Sequence, residues 1–115
     1  MGSIKYSLPG TWEATRAYSD IGAIVYQPGN GHLLKFTSND KMEFALPNGT
    51  VQSGTYRLRM KKDCYTNSDT QLAFTWPGSD YELVYYVVID NGELSLSTPS
   101  CLADGSITYY RKLPN

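Results

Sequence analysis

The sequence predicts an all-β protein, an eight-stranded antiparallel up-and-down barrel, and three observations lead there. No long window repeats apolar residues at the i, i+3, i+4 and i+7 spacing of a helix, and Gly or Pro interrupts most windows. Short alternating runs separated by turn residues recur instead, at the spacing of a barrel or sandwich. Ten Tyr and ten Gly among 115 residues fit the same reading, because Tyr favours half-buried pleated surfaces and Gly favours turns. The length allows one domain, since domains cluster near ~100–150 residues.

The first strand runs from Gly10 to Tyr18. A longer connection, Ser19 to Gly31, follows and carries Ile21, Ala23, Ile24, Val25 and Tyr26 ahead of Pro28-Gly29-Asn30-Gly31. His32 to Thr37 is the second strand, and Met42 to Leu46 the third, closed by Pro47-Asn48-Gly49. Val51 to about Lys61 is the fourth, with Gly54 expected to mark a bulge or bend. Leu72 to Trp76 is the fifth, ended by Pro77-Gly78, and Tyr81 to Ile89 is the sixth. Asp90-Asn91-Gly92 predicts the tightest hairpin, because Asn-Gly tolerates the positive φ of a type I′ turn. Glu93 to Ser97 is the seventh strand and Ile107 to Leu113 the eighth.

Short turns force antiparallel neighbours, and closing the meander removes both exposed edges. Parity gives the strands one apolar face. Tyr81, Leu83, Tyr85, Val87 and Ile89 share a side, as do Tyr56, Leu58 and Met60, opposite Arg57, Arg59 and Lys61. Leu94 and Leu96 likewise oppose Glu93, Ser95 and Ser97. A barrel of this strand number has an interior that side chains fill, or that holds one small ligand.

Composition removes other classes of partner. Ten basic and eleven acidic residues leave a net charge of −1 with no block of one sign, which excludes the electrostatic footprint of a nucleic-acid binder. No run approaches the ~18 apolar residues of a membrane span. No apolar leader segment follows Met1. Residues 1–9 read as an arm whose Met1-Gly2-Ser3 start has the look of an expression scar, and 10–113 as the barrel.

Gly10-Thr11-Trp12 at the start of the first strand resembles the Gly-x-Trp signature of lipocalins and related calycins. Arg111 on the last strand resembles the family's Arg that packs over that Trp, where a guanidinium stacks on an indole and seals one barrel end. The chain is similar, more closely, to small lipocalin-like domains of secreted lipoproteins in Bacteroidetes. The matching stretches are 34–40, Ser53-Gly54-Thr55-Tyr56, 91–96 and Cys101-Leu102-Ala103-Asp104-Gly105. The resemblance implies a secreted, periplasmic or outer-membrane-anchored protein, with a lipid anchor attached outside this stretch. It also makes Gly10, Trp12 and Arg111 structural residues.

Arg16 shares parity with Trp12 and Ala14, so a regular strand would point it inward, where a bound carboxylate would partner it. A bulge or the strand end would let it reach solvent instead, and the rarity of buried Arg favours that outcome. Tyr18, Phe36, Phe44, Tyr56, Phe74, Trp76, Tyr85 and Tyr109 either line a ligand cup or pack as core, and in so short a barrel packing is the readier reading. His32 has no second His and no nearby Cys, so it reads as a surface loop residue, with no metal and no cofactor expected.

Cys64 and Cys101 follow the fourth and seventh strands, which in a strict meander puts them at opposite barrel ends, more than ~15 Å apart. A disulfide needs Cα atoms within ~7 Å. The secreted location that the resemblance implies pulls the other way, towards pairing. Both outcomes stay open.

No Ser-His-Asp order, metal cluster or phosphate loop speaks for an enzyme. The expected function is a non-enzymatic secreted or surface-anchored binding module for a small apolar or amphipathic ligand. The alternative is a protein-interaction barrel acting through its loops without a small ligand, as in those bacterial Gly-x-Trp barrels that inhibit proteases. Ile21, Ile24, Val25 and Tyr26 on the first connection would then be the contact patch.

Overall fold

The computed structural model of the chain describes residues 4, 7–62, 68–98 and 105–114. Cys64 and Cys101 lie outside these residues, and the question of their pairing with them. The strands are β1 (Gly10–Ser19), β2 (Gly22–Val25), β3 (Leu33–Phe36), β4 (Lys41–Ala45), β5 (Val51–Met60), β6 (Thr70–Thr75), β7 (Glu82–Asp90), β8 (Glu93–Ser97) and β9 (Ser106–Lys112). All pairings are antiparallel, β3 to β9 follow one another in sequence order, and β1 pairs with both β3 and β9. The result is a closed antiparallel barrel of eight wall strands, as the alternation predicts. Hairpin chemistry behaves as expected at Asn91 and Gly92, which both adopt positive φ between the paired Asp90 and Glu93.

One element was not expected. Residues 22–25, read above as part of a long connection, form β2, a short strand paired with the upper half of β1 from Arg16↔Val25 to Ser19↔Gly22. The cause is a mismatch of lengths. β1 has ten residues, and β3 covers only Gly10 to Glu13 of it, so the remaining edge needs other partners for its amides and carbonyls. The chain turns at Asp20 and Ile21 and supplies them.

Alternating strand direction sorts the connections into two groups. Residues 20–32, 46–50 and 76–81, together with the end of β8 and the start of β9, gather at one end, called the mouth here. The other end carries residues 37–40, the Asn91-Gly92 turn, the start of β1 and the end of β9.

The end opposite the mouth is packed and plugged. Trp12, Leu34, Phe36, Met42, Tyr56, Leu72, Phe74, Val87, Leu94 and Leu96 are buried in one cluster. The arm ahead of β1 closes the end: Leu8 is fully buried, its amide donates to the Ile4 carbonyl (3.0 Å), and the Trp12 Nε1–H donates to the Leu8 carbonyl (2.9 Å). Burying one leucine contributes roughly 1.5–3 kcal/mol, so this arm is an integral part of the core.

The residue over Trp12 is Lys112, which corrects the role expected for Arg111. The β1–β9 register pairs Trp12 with Lys112 and Glu13 with Arg111, one position away from the expectation. Lys112 Nζ lies 5.4 Å from the Trp12 ring centre and donates to the Ser7 carbonyl (3.1 Å). Gly10 clears its path, since a Cβ there would sit 2.8 Å from Lys112 Cε. Arg111 faces outward instead and donates to the buried Glu13 carboxylate through Nη2 (2.7 Å) and Nε (3.2 Å).

Gly54 is also corrected. It stays in register opposite Met42 with no bulge, and its small size answers a close approach. A side chain there would collide with the Thr75 carbonyl oxygen and lie 2.9 Å from Phe74 Cζ. Gly54→Ala therefore lowers stability by about 1–3 kcal/mol, the usual cost of overpacking a tight site. Urea unfolding measures it, and an unchanged midpoint would refute the close-approach account.

Candidate functional site

The candidate site is the upper half of the interior, between the packed core and the mouth. Parity and register carry Ala14 and Ala17 of β1, Phe44 of β4, Leu83 and Tyr85 of β7, and Thr108 and Tyr110 of β9 to the inner face. Trp76 continues the inner row of Leu72 and Phe74 just beyond β6. Phe44, Trp76, Leu83, Tyr85 and Tyr110 pack against the core cluster yet remain only half-buried, as do Ile4, Leu58 and Ile89 elsewhere around it. Their rings join in sequence, Phe44 to Phe74 at 5.1 Å and Phe74 to Trp76 at 4.9 Å, both edge-to-face. Trp76 then stacks on Tyr81 at 6.3 Å.

Two further residues reach this space from the long connection. The Tyr26 amide donates to the Thr15 carbonyl (2.9 Å), and the His32 carbonyl accepts from the Ala14 amide (3.0 Å), so both extend the sheet around β1. Their rings meet at 4.8 Å. An outer clasp holds the segment between them: Glu13, gripped by Arg111, accepts from the Gly29 amide (3.0 Å), and Asn30 Nδ2 donates to the Ala14 carbonyl (2.9 Å).

The electrostatics of the cup are those of neutral phenols. Burial pushes the Tyr110 phenol far above its ordinary value, and the nearby Tyr85 and Tyr26 hydroxyls push it further, against a smaller opposing effect of its hydrogen bond with Thr108. Burial likewise raises Tyr85, with Tyr81 adding to it. Tyr85 and Tyr110 therefore stay uncharged beside Tyr26, each able to donate and to accept. Among the described residues, the only charged side chain on the inward rows is Lys112, at the plugged end.

The structure divides the expected aromatic set in three. Phe44, Trp76 and Tyr85 line the cup. Phe36, Tyr56 and Phe74 face inward but are buried beneath it, Phe36 edge-on to Tyr56 at 5.2 Å, so they form its floor. Tyr18 and Tyr109 lie on the outer face, which corrects their expected place in the lining.

The cause of that correction is a β-bulge. The register with β9 shifts between Ala14 and Arg16, so Thr15 is an extra residue and every later side chain of β1 changes face. Arg16 consequently points outward, as the bulge reading required, and not into the cup. It forms a two-pronged ion pair with Glu93 (2.6 and 3.1 Å), and its guanidinium lies 3.9 Å from the Tyr109 ring centre. The Glu93 hydrogen bond raises the Arg16 pKa above its already high value. Tyr18 sits edge-on to Tyr109 at 6.1 Å.

Sequence reasoning missed Tyr26, Leu83 and Tyr110 as lining residues and left His32 on the surface. Tyr110 had a signal: Tyr109 and Tyr110 are adjacent, so one of the two had to face inward. Choosing between them takes the register Leu94↔Tyr110, which no local pattern supplies. No cluster of three or more His, Cys, Asp or Glu that could hold a metal occurs among the described residues.

Alkaline titration tests the cup's electrostatics. Tyr85 and Tyr110 in the cup, with Tyr56 in the floor raised by burial and by Asp40, should be missing from the ordinary phenol wave near pH ~10 and ionise above it. The unfolded chain releases those protons near pH ~10 while the folded barrel keeps them, so stability is full below that pH and falls above it. Absorbance at about 295 nm follows the wave, and Tyr110→Phe should remove one late phenol without changing the early ones. No family model, curated protein or solved structure matches this chain.

Proposed function

We propose that this chain is a non-enzymatic binding module that takes a small apolar or amphipathic molecule into the mouth of its barrel. One observation carries the reading: beyond the buried cluster and the arm that plugs one end, the inner rows end towards the mouth in half-buried aromatic side chains without charge. Ligand carbons would bury against Phe44, Trp76 and Leu83, and the Tyr26, Tyr85 and Tyr110 hydroxyls would fix orientation. Each 100 Å² of apolar ligand surface removed from water would contribute roughly 2.5 kcal/mol before association costs. The rim agrees with this use. Of the exposed large hydrophobic residues among those described, Tyr18, Ile21, Ile24, Val25, Leu46, Val51 and Tyr81 lie at or beside the mouth, and only Met60 lies at the other end. The motifs that resemble lipocalin-like lipoproteins support the same assignment, with a secreted or surface-anchored location as part of it.

A second reading has its own observation. Ile21 is 94% exposed and Val25 72%, on a hairpin whose β2 edge pairs only with β1. Such a patch suits a protein partner that needs no small ligand.

Filling the cup separates the two. Leu83→Trp should weaken binding of an uncharged, polarity-sensitive naphthalene probe by about tenfold or more, equal to ~1.4 kcal/mol. Ile21→Asp should leave probe affinity within about twofold. Fluorescence titration gives both affinities, and circular dichroism checks that the variants fold. A folded Leu83→Trp variant that binds the probe as the parent does would overturn the cup reading in favour of the hairpin.

A further inference from the structure

We propose that the cup selects an amphiphile with a cationic head, an alkylammonium, over a carboxylate of the same chain length. The inference rests on the cup reading above and names its ligand class.

Charge is partitioned along the barrel axis. Among the described residues, 20–32, 46–50 and 76–81, which join strands at the mouth, contain no Lys or Arg and two Asp (Asp20 and Asp80). The described Lys and Arg residues lie on the outer wall or at the plugged end. The side chain best placed to receive a carboxylate was Arg16, and the bulge turns it to the outer face, where Glu93 occupies its guanidinium from two sides.

A carboxylate entering the cup would thus give up its hydration for phenol hydroxyls alone, with no opposite charge to offset the loss. It would also approach against the field of the mouth carboxylates, which a low-dielectric opening concentrates. An ammonium head meets the reverse conditions. Tyr26, Tyr85, Tyr110 and Trp76 supply aromatic rings, whose quadrupoles attract a cation, and tyrosine oxygens accept hydrogen bonds. Asp20 and Asp80 add attraction at the rim, while the tail occupies the apolar surface near Phe44 and Leu83.

Calorimetric titration of the intact chain with decyltrimethylammonium, decanol and decanoate tests this, each below its micelle concentration, at pH 8 and low salt. The expected order is cation, then alcohol, then carboxylate, with at least about a tenfold gap between first and last. The Asp20→Asn, Asp80→Asn double variant should narrow the advantage of the cation over the alcohol and leave the alcohol's affinity unchanged. Decanoate or decanol binding as tightly as the cation would overturn the proposal while leaving the cup intact. Failure of all three to bind would remove the cup reading itself.

Discussion

The seam between the first and last strands governs this molecule. β1 and β9 close the barrel, and the single extra residue at Thr15 divides that seam into two regimes. Below the bulge, Trp12 faces inward beside Lys112 and the core is built around it. Above it, the parity of β1 is reversed, so Ala17 faces in and Arg16 faces out. One inserted residue therefore decides whether a guanidinium stands inside the barrel or on its wall. An uncompensated guanidinium among the phenols of the cup would be costly, whereas on the wall it meets Glu93 and a ring face.

The two halves of the interior solve different problems. A barrel of this size has little internal volume, and Leu8 with the indole hydrogen bond closes the end nearer the chain's start. The buried cluster around Trp12 supplies most of the apolar burial that stabilises the fold. The mouth half ends in half-buried rings. Its aromatic residues bury one flank against the core and keep another accessible, which is the condition for receiving a molecule without rebuilding the wall. Backbone pairing stays continuous around the mouth because β2, the Tyr26 amide and the His32 carbonyl take over where β3 ends.

The outer wall is organised by ion pairs with distinct roles. Glu13 is buried between Arg111 and the Gly29 amide, so it ties the long connection to the seam and thereby holds Tyr26 and His32 near the opening. Glu82 bridges Arg57 and Arg59 on the opposite wall, and these arginines hold its carboxyl below the ordinary range although burial acts the other way. That exposed bridge contributes little to stability and serves mainly to satisfy three charges across the intervening β6.

The sequence alone determined the eight wall strands, most of their turns and the inner face of most of them. Leu94 and Leu96 against Ser95, or Tyr56 and Leu58 against Arg57, mark the faces by strict alternation, and Asn91-Gly92 marks its hairpin by the φ values it tolerates. Tertiary structure decided what alternation cannot carry: the bulge at Thr15, the choice of Lys112 over Arg111 above the indole, the choice of Tyr110 over Tyr109 in the lining, and the pairing of β2. Each depends on register between segments far apart in the chain, the first with the last above all. The reason is geometric. A period of two assigns side chains to faces within one strand, but only the hydrogen-bonded register against its neighbours says which face is inside, and a shift of one residue reverses every assignment.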